Sequence, residues 1–179
     1  MRPGRIGSGW KRRLPVAGAG LLAAAVTLVA GGTDEAQAWG DGDGCVPLYG
    51  LFDSEQVPPE ECDSPVGFCT RGNIQGLLSG TYEFTMTSAT PADPTVPGIQ
   101  FFTGVSEIET RGDALVTATD TGTIDLSPDR WGNMTSLITI IDGTGHFEGA
   151  RGQLALRGRV DLESGGASGN YTARICLPK

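Results

Sequence analysis

Residues 81–88 read TYEFTMTS. Tyr82, Phe84 and Met86 fall on one side of an extended chain, and Thr81, Glu83, Thr85 and Thr87 on the other. Side chains alternate across a strand, so this period of two predicts a β-strand with one buried face. The pattern repeats outward along the chain. Residues 100–110 (QFFTGVSEIET) and 114–125 (ALVTATDTGTID, with a break expected near Gly122) are the next candidate strands. Residues 134–141 (MTSLITII) are apolar on both faces. In 153–162 (QLALRGRVDL), Leu154, Leu156, Val160 and Leu162 alternate with Gln153, Arg157, Arg159 and Asp161. In 169–177 (GNYTARICL), Tyr171, Ala173, Ile175 and Leu177 share a face. Gly, Asp and Pro turns separate these runs, from Pro91–Pro97 to Ser164–Gly169. Short alternating strands with regular turns predict an all-β fold, a barrel or a sandwich, from residue 67 onward.

The N-terminus reads as an address. Residues 1–13 are basic, residues 14–30 (LPVAGAGLLAAAVTLVA) carry no charge, and Ala36-Gln37-Ala38 supplies small residues at a cleavage site. This is the pattern of a secretory signal peptide over 1–38, cut after Ala38 and releasing a chain that starts at Trp39. A transmembrane anchor is the competing reading, but a run this short and this rich in Ala and Gly is weakly apolar. Arg12-Arg13 suggests twin-arginine export, and the following Pro15 favours the general route.

Of the 179 residues, 13 are Lys or Arg and 21 Asp or Glu. The first 38 hold five of the bases and two of the acids, so residues 39–179 carry 8 against 19, a charge of −11. A body this acidic lacks the basic surface that tracks phosphates, which excludes a nucleic-acid partner. No later run is long and apolar enough for a membrane helix.

The four cysteines (Cys45, Cys62, Cys69, Cys176) all follow the expected cut, and an even number in an exported chain predicts two disulfides. Zinc ligation needs closer pairs than these, and His146 is the one histidine, so neither metal nor cofactor is expected. Cys69 and Cys176 bracket the strand-rich body, whereas Cys45 and Cys62 lie before it. The expected pairs are therefore 45–62 and 69–176. Residues 39–66, rich in Gly, Pro and acids, read as an irregular arm pinned by the first of these. Asp41-Gly42-Asp43-Gly44 lacks the rest of a calcium loop and reads as a solvated turn.

Gly143-Thr144-Gly145-x-Phe147-x-x-Ala150-Arg151-Gly152 resembles the G-T-G-x-F-x-x-A-x-G segment of the allene oxide cyclase and dirigent β-barrels. Gly72-x-Ile74-x-Gly76-x-x-x-Gly80-x-Tyr82-x-Phe84 and Gly169-x-Tyr171-x-x-x-Ile175 fit the same pattern. The resemblance covers about residues 67–178. It implies a closed, eight-stranded antiparallel barrel with an apolar lumen, often assembled as a homotrimer. The glycines do not match a dinucleotide loop, because the spacing is G-x-G-x-x-x-G and a strand follows.

A closed sheet turns one face inward, so the expected lumen lining is Tyr82, Phe84, Met86, Leu154, Leu156, Tyr171 and Ile175. That lining suits a small apolar ligand. A cyclase- or dirigent-type isomerase, or a filled barrel with a structural or protein-contact role, are the alternatives. For catalysis the candidates are Glu107 and Arg151. Glu107 and Glu109 share the period-two face of Phe101 and Val105; if that face is the lumen, Glu107 is a buried acid or base. If Phe102 and Ile108 face inward instead, both acids are solvated. Arg151 matches the pocket arginine implied by the dirigent A-R-G segment. His146 and any Ser or Cys nucleophile lack the placement of a hydrolase triad.

Overall fold

Eight strands follow one another with short connections: β1 Cys45–Gln56, β2 Cys69–Gly76, β3 Gly80–Pro91, β4 Ile99–Thr110, β5 Leu115–Asp125, β6 Trp131–Gly143, β7 Arg151–Asp161 and β8 Ala167–Cys176. Each pairs antiparallel with the next, and β8 pairs antiparallel with β1, so the sheet closes into a barrel in sequence order. The structure is a computed structural model and describes residues 44–178. The expected signal peptide over 1–38, its cleavage site and most of the Asp41–Gly44 turn lie outside the described residues. Among the described residues, no helix is long and apolar enough to cross a membrane.

Alternation decides which face is buried. Tyr82, Phe84 and Met86 of β3, Leu154, Leu156 and Val160 of β7, and Tyr171 and Ile175 of β8 all point inward. On β4 the inward set is Phe102, Gly104, Ser106, Ile108 and Thr110. Gly104 leaves room for a ring: a Cβ there would collide with the Phe84 side chain across the barrel wall. Gly122 of β5 does the same for Phe102, so β5 runs unbroken through the position where a break was expected. Small residues opposite rings let a narrow barrel fill without voids.

Two expectations are corrected. The segment expected to be an irregular arm, 39–66, holds a strand in its described part: β1 occupies Cys45–Gln56 and forms ten register pairs with β8 and seven with β2. Its inward positions, Leu48, Gly50, Phe52 and Ser54, are interrupted by a glycine and a serine, which hides the period. The disulfides are accordingly Cys45–Cys176 and Cys62–Cys69, not 45–62 and 69–176. The first strand of the barrel is β1 rather than β2, so the bridge between first and last strands starts from Cys45. Cys45 lies directly opposite Cys176 in the β1–β8 register. The other bridge ties a short 3-10 turn, Pro59–Glu61, to the start of β2.

The barrel's two ends differ. At the end where β2 turns into β3, Leu78 folds over the opening and is 1 % exposed. The Tyr171 hydroxyl lies 3.4 Å from both the backbone N–H and the carbonyl oxygen of Leu78. Ala114 and Ala150 are buried at the same end, and Phe147 packs on the core from a second 3-10 turn, Gly145–Phe147. Gly145 takes φ +58° and Gly149 φ +71°, left-handed conformations that glycine adopts without strain. The resembling motif therefore builds the plugged end.

Candidate functional site

The opposite end is open. A cavity enters it between Phe52 and Ser54 of β1, Thr70 of β2, Tyr82, Phe84 and Met86 of β3, and Phe102 of β4. Asp120, Ile124, Met134, Ser136, Val160 and Ala167 complete the wall from β5 to β8. Phe68, just before β2, sits at the mouth. The loop carrying it is held by the Cys62–Cys69 bridge, by Val57 N–H donating to the Cys69 carbonyl (2.9 Å) and by Ser64 Oγ donating to the Met86 carbonyl (2.5 Å). The void measures about 450 Å3 to its walls, including solvent at the mouth, and about 40 Å3 of it admits the centre of a water molecule. That is room for a few waters. A ring-sized guest requires the flexible thioethers of Met86 and Met134 to swing aside.

Among the described residues Asp120 is the only charged one in this wall, and it is 1 % exposed. On β5 the inward ladder runs Val116, Ala118, Asp120, Gly122, Ile124; of these, Asp120 is the innermost to reach the cavity. Ser106 Oγ lies 2.5 Å from its Oδ2, and Ser136 Oγ donates to its Oδ1 at 2.8 Å. Ser106 Oγ is also 3.3 Å from the Tyr82 hydroxyl. Ser106 has one proton, and an ionised carboxylate can only accept. The proton therefore goes to Asp120, and the Tyr82 hydroxyl donates to Ser106. The result is a relay of hydroxyls ending on one carboxylate.

Burial pushes the Asp120 carboxyl up from its ordinary 3.8 to about 6, against the two serine hydrogen bonds that favour the charged form. The Tyr82 hydroxyl is held protonated, by burial first and by the Asp120 charge second. Among the described residues no group of His, Cys, Asp and Glu is arranged to hold a metal ion.

The expected site residues divide. Tyr82, Phe84 and Met86 line the cavity. Leu154, Leu156, Tyr171 and Ile175 are inward and buried, but they fill the solid half of the barrel and do not reach the cavity. Glu107 and Glu109 point outward with Phe101 and Val105, which are 51 % and 37 % exposed. Phobic residues stand on both faces of β4, so alternation alone leaves the choice open. Burying two unpaired carboxylates costs far more than exposing a ring, and this settles it. Arg151 is exposed at the plugged end and donates from Nη1 to the Ala150 carbonyl at 2.8 Å. Neither Glu107 nor Arg151 touches the lumen, so neither serves as its acid, base or anchor.

Asp120 is not among the expected site residues, although the sequence carries a signal for it. Val116, Ala118, Asp120 and Ile124 share one parity, so an acid interrupts an otherwise apolar face. Comparison with protein-family models, with curated proteins and with solved structures found no match to this chain.

Proposed function

We propose that this protein acts outside the cytoplasm as a binding barrel, taking a small, largely apolar molecule into its open half. The observation that carries this reading is the cavity itself: one end of the barrel is plugged, and the other is lined by Phe52, Phe84, Met86 and Phe102 and left open. Such a concave, mostly apolar site with a few convergent polar groups is the usual form of a small-molecule site. Two disulfides support an oxidising compartment, and the signal-peptide pattern of residues 1–38 supports export.

Titration with benzyl alcohol, followed by amide NMR, tests this. The expected result is a saturable shift confined to residues around Phe68, Met86, Phe102, Ile124 and Met134. Met86→Trp, which fills the cavity, should remove it while the protein still melts cooperatively. Shifts scattered over the outer wall, or none, would count against the proposal.

A second reading, an isomerase of the cyclase or dirigent type, draws on Asp120 in place of Glu107. A carboxyl that titrates near 6 inside an apolar lumen can give or take a proton at neutral pH. The motif resemblance supports the same reading. Turnover of an unsaturated or epoxide-bearing guest that disappears in Asp120→Asn would favour it over binding alone.

A further inference from the structure

Asp120 has a feature that a purely apolar guest leaves unused. A buried carboxylate is stable when a positive charge accompanies it. Among the described residues the wall of the cavity contains no Lys, Arg or His, and the charge is met only by the hydroxyls of Ser106 and Ser136. Those two bonds use part of the carboxylate's capacity, since its oxygens offer about four acceptor sites. The unused sites belong to the innermost β5 residue of a mostly apolar cavity wall.

We infer that the guest of this cavity is an apolar amine, its ammonium seated on Asp120 and its hydrocarbon body lying among Phe52, Phe84, Met86 and Phe102. The inference rests on the binding role proposed above and names the chemical class of the ligand. An ammonium has several donors and no acceptor. Asp120 accepts one of them as a charge-assisted bond, and the hydroxyl oxygens of Ser54, Thr70, Tyr82 and Ser136 stand in the same wall to accept others. A neutral alcohol can donate to the carboxylate but leaves its charge uncompensated. A carboxylate guest would set like charges together in a low-dielectric lumen. The charge of −11 over residues 39–179 acts in the same direction at longer range, raising the local concentration of cations and lowering that of anions.

The same geometry makes uptake pH-dependent. The groups facing Asp120 are Tyr82 from β3, Ser106 from β4 and Ser136 from β6, and the remaining wall from β1, β2, β7 and β8 contributes no titratable side chain. Tyr82 stays protonated, so among these facing groups Asp120 alone changes charge between pH 4 and 8. Protonating it removes the ammonium's partner.

Four molecules sharing one ring test the assignment: benzylamine, benzyl alcohol, toluene and benzoate, each titrated into the disulfide-bonded protein and followed by amide NMR. At pH 7.5 benzylamine should bind about tenfold or more tightly than benzyl alcohol or toluene, and benzoate most weakly. At pH 4.5 the amine preference should shrink by about tenfold. Asp120→Asn should abolish the preference while toluene still binds, and Glu107→Gln, on the outer wall, should change nothing. Should Asp120→Asn fail to fold, Ser136→Ala provides the readout: losing one hydrogen bond to the carboxylate moves the pH midpoint of the amine preference upward. Equal binding of amine, alcohol and toluene, or a preference for benzoate, would overturn the amine assignment and leave the binding role standing. No shift of cavity amides with any of the four would overturn both.

Discussion

Asp120 places a charge where folding prefers none. Its carboxyl titrates near 6 in the folded barrel and near 3.8 when exposed. Between these values the folded state holds a proton that the unfolded chain has released, so stability falls as pH rises through this window and levels off above it. The two values differ by an amount worth roughly 3 kcal/mol at most. Urea denaturation at pH 4 and pH 7 should show that loss in the wild type, and Asp120→Asn should remove it; an unchanged difference in the variant would place the titration elsewhere. Gly104 makes a second residue-scale case. Gly104→Ala would drive a methyl group into the Phe84 ring. The expected cost is about 1–3 kcal/mol, the usual range for overpacking, and the displaced ring would narrow the cavity. A thermal melt and the benzyl alcohol titration read the two effects separately.

At the level of elements, β1 and its bridge to β8 are what turn a sheet into a barrel. Antiparallel strands at the edges of an open sheet expose unpaired backbone groups, and closure removes them. The Cys45–Cys176 bridge spans 131 residues of sequence, the Cys62–Cys69 bridge only 7. Loop entropy makes the first worth up to roughly 5 kcal/mol and the second roughly 2. Replacing Cys45 and Cys176 together by Ala should therefore lower the melting temperature more than replacing Cys62 and Cys69. The short loop has a different role. It holds Phe68 at the mouth, so its loss should alter the benzyl alcohol titration more than stability. Peptide mapping without reductant checks the pairs directly.

At the scale of the molecule the barrel is half packed and half open, and the two halves have different owners. Leu78, Tyr171, Phe147 and the Gly143–Gly152 segment belong to the plugged half; Phe52, Phe84, Phe102 and Asp120 belong to the open half, which holds the cavity. A chain cut to residues 67–179 keeps seven strands but lacks β1, which pairs with both β2 and β8. Such a piece should show no cooperative melt by circular dichroism, whereas 39–179 should. A cooperative melt of the shorter piece would mean that β2 can close on β8 directly.

Much of this fold is legible in local order. Alternation in β3, β7 and β8 fixes their inward faces because period two is a property of the extended chain alone. Even cysteine number and turn chemistry are likewise local, and they point to a disulfide-bonded β-protein, barrel or sandwich; closure into a barrel is what the motif resemblance around Phe147 implies. The remaining features depend on which strand lies beside which. Glycine and serine blur the period of β1, and only its pairing with both β2 and β8 identifies it as a strand, which in turn decides the disulfides. On β4 both faces carry apolar residues, and the choice between them follows from the cost of burying Glu107 and Glu109. The open half of the lumen is a matter of cross-barrel packing: Leu78 fills one end, and at the other the rings of Phe84 and Phe102, lodged over Gly104 and Gly122, leave Asp120 at the inner limit of an open cavity. Those contacts join residues that no period connects, so they are decided by the tertiary structure.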